Sequence, residues 1–282
     1  KINGKDIASV YIARNAKGKL IEFVESTKPP LKRKKKWVLI ISTLFGCPVD
    51  CKFCDAGGNY KGKLSKEELL FQIDYAVQQK FPDGFIDSEK FKIQFARMGE
   101  PAFNPKVLEA LKEIPGRYQY RNFIPSLSTI GPASNGTFLE ELLLIKKDLY
   151  ACDFQLQFSI HSTDSAQRDA LLPVKKMSFH EIATYGERFF DIGGKKITLN
   201  FALGKNSILD MNKLKQYFDP NIFLVKLTPV NPTVKAGINR IESLISKKNR
   251  KLALADKLSE SGFEYILSIG EWEENKIGSN CG

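Results

Sequence analysis

Residues 37–58 read WVLIISTLFGCPVDCKFCDAGG. The first six form an apolar run of strand length, bounded by turn-forming residues. The run gives way to a loop that crowds Cys47, Cys51 and Cys54 into eight residues. Beyond the loop, KEELLFQIDYAVQQ (66–79) spaces its apolar residues as a helix does. A strand, a thiol-rich loop and a helix thus open a βα unit.

The same alternation recurs downstream. FKIQFA (91–96) is a strand and PKVLEALKEI (105–114) a helix. NFIPSLST (122–129) is a strand interrupted by a proline, and LEELLLIKKDL (139–149) a helix. DFQLQFSI (153–160) precedes the helix FHEIATYGERFF (179–190), and KITLNFAL (196–203) precedes a helix near 209–217. IFLVKLTPV (222–230) is followed by LALADKLSESG (252–262), a helix ended by glycine, and YILSIG (265–270) is a last short strand. Six βα units in succession imply a parallel sheet with covering helices. The count falls short of a closed eight-unit barrel. The expected fold class is therefore α/β, a curved, partly open (β/α)6 barrel rather than a flat doubly wound sheet. In either, the active site belongs at the C-terminal strand ends. Upstream, SVYIA (9–13) and LIEFVE (20–25) flank the turn Asn15-Ala16-Lys17-Gly18 and predict a β-hairpin. The expected division is a hairpin with a basic connector over 1–36, and the barrel with a C-terminal tail over 37–282.

Composition narrows the class. A hydrophobic share of 43% in 282 residues supports an ordinary core. No apolar run reaches transmembrane length. The first residues lack the apolar centre of a signal peptide, and five cysteines, three of them clustered, do not form a secreted disulfide framework. A cytoplasmic location is expected. The net charge of +11 suggests an anionic partner, RNA among the candidates. Two basic runs carry much of it, Lys28 to Lys36 and Lys247 to Lys251. Each reads either as a phosphate contact or as a solvated connector or helix end.

The spacing Cys47-x3-Cys51-x2-Cys54 suits a metal centre. A structural zinc site wants four ligands, usually in two paired knuckles, and no second CxxC exists here. A 4Fe–4S cluster accepts thiolates, and three of them leave one iron open to a substrate or cofactor. A zinc site completed from a distance, or three plain structural thiols, remain the alternatives.

That spacing, with an aromatic residue (Phe53) before the last cysteine, resembles the radical SAM superfamily. The resemblance implies S-adenosylmethionine chelated on the open iron and cleaved reductively to a 5′-deoxyadenosyl radical. It implies a reductant such as flavodoxin or ferredoxin as partner. Further motifs lie at the strand ends: MGEP (98–101), LSTIGP (127–132), FSIHS (158–162), DALLPVKK (169–176) and LTPVNP (227–232). Together they resemble the RlmN/Cfr-type branch, which methylates adenine in RNA. The resemblance implies that Gly99 and Glu100 take the cofactor's amino group, and that Ser128, Ser159, Ile160, His161 and Asn231 contact the cofactor. The chain ends KIGSNCG, which places Cys281 where that branch carries its methyl-bearing cysteine. A thiolate is a fitting methyl acceptor; an incidental tail thiol is the plainer reading.

The match is partial. In that branch a second cysteine upstream of the cluster motif resolves the protein–RNA adduct; here the position falls at Ile40. A hairpin glutamate proposed as a base falls at Ala8. The accessory RNA-binding domain that precedes the hairpin in that branch is expected to be absent. The cofactor apparatus is complete in the sequence while the methyl-transfer apparatus is not. Three functions are open, in order: an RlmN/Cfr-like methyltransferase acting on RNA or another anionic substrate; a radical SAM enzyme of another reaction class acting on a small molecule or peptide; and an iron–sulfur electron-transfer protein. Cys152, at the start of a strand, reads as a buried core thiol.

Overall fold

The computed structural model describes residues 2–4, 8–26, 31–245 and 253–270. Strands β1 (Ile2–Gly4), β2 (Ala8–Arg14), β3 (Leu20–Ser26) and β4 (Trp37–Ile41) pair antiparallel in sequence. A short strand, β5 (Phe85–Ile86), precedes β6 (Phe91–Phe95), which lies parallel to β4. Another, β7 (Gln119–Tyr120), pairs with β5 in a separate two-stranded sheet. The main sheet continues in parallel through β8 (Phe123–Thr129), β9 (Gln155–Ser159), β10 (Ile197–Leu203), β11 (Phe223–Pro229) and β12 (Tyr265–Leu267). The hairpin is thus joined to the parallel strands in one ten-stranded sheet. Pro125 stays within β8, opposite Ile93.

The connecting helices are α1 (Lys66–Lys80), α2 (Lys106–Arg117), α3 (Gly136–Ile145), α4 (Ser165–Leu171), α5 (Phe179–Phe189), α6 (Met211–Tyr217), α7 (Val234–Ile238) and α8 (Ala253–Glu260). Ser65 with Glu68, and Ser178 with Glu181, form reciprocal caps that fix where α1 and α5 begin. The expected helix over 139–149 begins three residues earlier and gives way to a π turn over Lys146–Tyr150.

One face of the parallel sheet is apolar. Trp37, Leu39 and Ile41 of β4, Phe91, Ile93 and Phe95 of β6, and Leu199 and Phe201 of β10 share a core with the buried faces of the helices. Full burial of such a side chain contributes about 1.5–3 kcal/mol. The other face is polar, yet Lys92, Ser126, Gln157, Thr198 and Asn200 are buried there too. A sheet covered on one side can bury its second face only by curling on itself.

Two contacts establish that curl. Lys92 Nζ on β6 donates to Gln155 Oε1 on β9 at 2.7 Å, reaching past β8. After β11, Thr233 Oγ1 donates to the Phe53 carbonyl at 2.8 Å, and Asn239 Nδ2 to the Lys52 carbonyl at 2.9 Å. Strands β4 and β11 are five places apart in the sheet, about 24 Å if it were flat. Their loops meet because the sheet is a partial barrel, as the βα count predicts. Among the described residues β12 pairs only with β11, so the barrel stays open.

Candidate active site

The cysteine loop leaves the C-terminal end of β4, at the mouth of the barrel. Its turns come from Gly46 at φ 76° and Asp50 at φ 58°. Gly58 N donates to the Cys47 carbonyl, Cys54 N to the Cys51 carbonyl and Gly57 N to the Cys54 carbonyl, at 3.1–3.2 Å. A Cβ at Gly57 would lie 2.8 Å from the Asp50 Cα, so the fold of the loop admits only glycine there.

Three segments hold the loop from below. Lys52 N donates to the Leu171 carbonyl at 3.0 Å, and Leu171, Leu172 and Val174 pack beside Cys47, Val49 and Cys51. That assigns the DALLPVKK segment a structural task. On the far side, Lys235 of α7 forms an ion pair with Asp50. Asp55 accepts from Val234 N and Lys235 N at 3.0 and 2.9 Å. This α7 latch escapes sequence reading, because Asp50 and Lys235 are 185 residues apart and α7 has only five residues. The third support is Phe53, which packs with Ala202, Val230 and Ala236.

The thiol chemistry fits an iron–sulfur cluster. Cys47 is nearly buried, and burial lifts its pKa to about 11, with the Glu100 and Cys54 charges adding. Burial also raises Cys51 well above the usual thiol range, with the Cys54 and Cys47 charges next. Three thiols that oppose one another's ionisation call for a cationic group to make them thiolates. Among the described residues no three Cys, His, Asp or Glu side chains converge on a single metal point. A cube places each thiolate on a different iron, so such convergence is a demand of mononuclear sites and not of clusters.

Beside the loop, the MGEP segment is bound to the end of β4. Thr43 N and Leu44 N both donate to the Met98 carbonyl, at 2.8 and 3.1 Å. Gly99 has φ 103°, and a Cβ on it would sit 2.5 Å from Leu44 Cβ, so glycine is required. Glu100 turns inward. Its carboxylate accepts from Thr129 Oγ1 at 2.5 Å, Ile130 N at 2.9 Å and Ala102 N at 3.1 Å. Burial raises its pKa against the pull of those donors. Glu100 therefore braces β6 to β8, with about one of its four acceptor sites left over.

Ser128 and Ser159 lie half-buried on the lumen side of β8 and β9. The Ile160 side chain belongs to the helix-side core, so only its backbone carbonyl is offered to the mouth, its N–H being given to the Asn200 carbonyl. His161, at φ 64°, stands edge-on to Phe53 with ring centroids 4.9 Å apart. Its Nδ1 accepts from Ala202 N at 3.0 Å, which leaves the proton on Nε2. Burial, helped by Arg168, lowers its pKa to about 3, so the ring is neutral. Asn231 lies just past β11 at the mouth, half-buried, and its carbonyl accepts from Thr233 N at 2.8 Å. Cys281 and the basic run Lys247 to Lys251 lie outside the described residues. Of the other run, Arg33 pairs with Glu25, Lys34 with Asp87 and Lys35 with Glu89, which ties that connector to the fold. Cys152 is half-buried in a 3-10 turn before β9 rather than in the core.

Ile40 and Ala8 share a face. With Val10 and Val24 they make a separate apolar cluster where the hairpin joins β4. In register, Val24 stands opposite both Val10 and Ile40.

No protein-family model matches the chain. The radical SAM methyltransferase from Sphaerobacter thermophilus superposes with a TM-score of 0.74 at 20% identity, covering 100% of this chain and 78% of that one, a likeness of fold. The chain thus shares the fold of that radical SAM methyltransferase. In sequence the chain is similar to the RlmN methyltransferases. The probable dual-specificity RNA methyltransferase RlmN of Nostoc punctiforme is 25% identical over 285 residues, 94% of this chain and 73% of that protein. Its counterpart in Desulfitobacterium hafniense strain Y51 is 27% identical over 242 residues, 82% of this chain and 64% of the relative. Enzymes of this kind use a 4Fe–4S cluster and S-adenosylmethionine, and the donor set at the mouth fits both.

Proposed function

We propose that the chain is an RlmN/Cfr-like radical SAM methyltransferase with RNA as its substrate and Cys281 as the methyl carrier. One observation carries most of the weight: the cysteine loop, the MGEP turn and the strand-end residues Ser128, Ser159, His161 and Asn231 all lie at one end of the barrel. Cys47, Cys51 and Cys54 would hold the cluster, which together with S-adenosylmethionine supplies reductive cleavage of the sulfonium when bound. The chain's own contribution is placement. Gly99 lets backbone come close to the ligand, Ser128 and Ser159 offer hydroxyls, and His161 offers a neutral Nε2–H donor. Phe53 and Val230 keep water from the underside of the loop. A net charge of +11 favours an RNA acceptor. A flavodoxin or ferredoxin would supply the electron.

A second reading draws on the apolar cluster around Ile40. The RlmN/Cfr branch works there with a thiol and a carboxylate, while Ala8, Val10, Val24 and Ile40 have no proton or electron pair to offer. A radical SAM reaction of another class, on a small molecule or peptide, is the consequence. Mass spectrometry of the C-terminal peptide separates the two. A methylated Cys281 and salt-sensitive RNA binding support the first; an unmodified Cys281 after incubation with S-adenosylmethionine sinks it.

A further inference from the structure

The hairpin turn and the segment that follows the cysteine loop meet at the mouth of the barrel. Strand β3 runs antiparallel to β4 with Val24 opposite Ile40, so the turn ahead of β3 lies beyond the C-terminal end of β4. Asn15 stiffens that turn. Its Oδ1 accepts from Lys17 N at 3.0 Å and Lys19 N at 2.9 Å, and its Nδ2 donates to Glu68 Oε1 at 2.7 Å. Residues 59–63 run back beside residues 44–46, with Lys63 antiparallel to Leu44. Lys61 N donates to the Phe45 carbonyl at 2.7 Å, and Phe45 N to the Gly62 carbonyl at 2.9 Å. Lys19 clamps the two segments together: its Nζ donates to the Lys61 carbonyl at 2.5 Å and lies 4.9 Å from the centre of the Phe45 ring. Phe45 precedes Cys47 by two residues, at most about 7 Å of chain.

This junction carries charge that the protein does not match. Elsewhere surface cations are paired: Lys34 with Asp87, Lys35 with Glu89, Lys66 with Glu113 and Lys112 with Glu141. Lys17, Lys61 and Lys63 are exposed and, among the described residues, make no ion pair. The Lys19 ammonium donates to a carbonyl, which has no net charge to offset it. Glu68, the carboxylate that the turn touches, is engaged by Asn15 and, through its other oxygen, by Ser65 N at 2.9 Å. Four cations gathered on two clamped segments repel one another, and a polyanion relieves that repulsion. Tyr60, next to Lys61, is 43% exposed, and among the described residues it packs against no other aromatic ring.

We infer that this edge is a docking surface for unpaired RNA, with Lys17, Lys19, Lys61 and Lys63 meeting phosphates and the exposed face of Tyr60 stacking on a base. The surface presupposes the RNA substrate proposed above. Lysines alone suit any acidic partner, an electron carrier included. The exposed ring beside them favours nucleic acid, because single strands are held by cations along the backbone together with aromatic faces for the bases. The bases must be unpaired, since those of a duplex are already stacked on one another. The bonds between residues 59–63 and Phe45 bring a strand docked there to the rim of the cysteine loop.

The test is fluorescence anisotropy on the cluster-loaded full chain, with a labelled single-stranded RNA of about 16 nucleotides as probe, read across a salt series. Saturable binding that weakens as salt rises is expected. Lys61→Gln combined with Lys63→Gln should weaken it about tenfold or more. The same pair should flatten the slope of log affinity against log salt by about 1.4, the share of two phosphate contacts on a single strand. Tyr60→Ala should weaken binding about fivefold or more and leave that slope unchanged, which separates stacking from charge. Lys147→Gln, an exposed cation in the π turn ahead of β9, should change nothing. Iron content and circular dichroism check that each variant is loaded and folded; should the lysine pair fail there, Lys63→Gln alone and Tyr60→Ala decide. RNA binding by the parent chain that the lysine pair or Tyr60→Ala leaves unchanged overturns the surface while the RNA reading stands. Absence of salt-sensitive RNA binding by the parent chain overturns both. Slower reduction of the cluster by flavodoxin in lysine variants that keep full RNA affinity assigns the edge to the electron carrier and overturns the proposal.

Discussion

The mouth of the barrel and its floor are made by the same strands, and they use opposite means. At the mouth, function rests on loops whose backbone is fixed by other backbone and by short side chains: the Met98 carbonyl under Thr43 and Leu44, the Leu171 carbonyl under Lys52, the Phe53 carbonyl under Thr233. Ionisable groups there are either held in place, as Glu100 is by three donors, or thiols whose chemistry suits an iron–sulfur cluster. At the floor the lumen is lined by strand side chains, and two of their buried polar atoms, Thr198 Oγ1 and Asn200 Oδ1, make no hydrogen bond among the described residues. Loops held by a closed set of hydrogen bonds are written in short motifs, whereas single strand side chains at alternate positions are not.

Substitutions can break this contrast, and they differ in size. Cys51→Ala should abolish cluster loading, with visible absorbance, iron content and S-adenosylmethionine cleavage all falling to background while far-ultraviolet circular dichroism persists. Glu100→Ala should come next. It leaves the buried Thr129 and Ile130 donors without the carboxylate that accepts from them, and urea unfolding should register a loss of about 3 kcal/mol. His161 gives a smaller and pH-dependent effect. Its folded pKa, near 3, lies below the unfolded value of 6.5, so its contribution is fully present above pH 6.5 and is lost as pH falls. Between pH 6.5 and 5 the loss should reach about 1.6 kcal/mol, and His161→Asn should flatten that slope in denaturation curves recorded across the range. Lys235→Met should matter least to stability. The Lys235 and Asp50 side chains are 25% and 47% exposed, so the cost should be about 0.5–1 kcal/mol. Its signature is kinetic: faster release of iron to a chelator, because the cysteine loop loses its latch to α7.

Much of the fold is legible in the amino-acid sequence. The alternation of apolar strands and amphipathic helices gives six βα units, and their number predicts an open barrel. The hairpin is legible too, from SVYIA and LIEFVE around a glycine turn. The illegible parts have physical causes. Helices α4 and α7, of seven and five residues, are too short for periodicity to register. The latch between Asp50 and Lys235 joins charges that only the closing of the sheet brings together. Glu100 reads in sequence as a ligand for an ammonium; that it also braces β6 to β8 through three buried donors is not legible there. The lumen lysines are visible in principle, since Lys92 and Lys226 each interrupt an apolar strand at an alternate position. Alternation alone does not tell a lumen from solvent; the hydrogen bonds to Gln155 and Gln157 do.

The central claim is that three thiols at the barrel mouth arm this chain for reductive cleavage of S-adenosylmethionine. The most direct test is to reconstitute the cluster anaerobically, reduce it, add S-adenosylmethionine and analyse products by mass spectrometry. The account predicts 5′-deoxyadenosine, or a methyl group on the peptide that carries Cys281. A fully loaded, fully reduced cluster that yields neither product would contradict it.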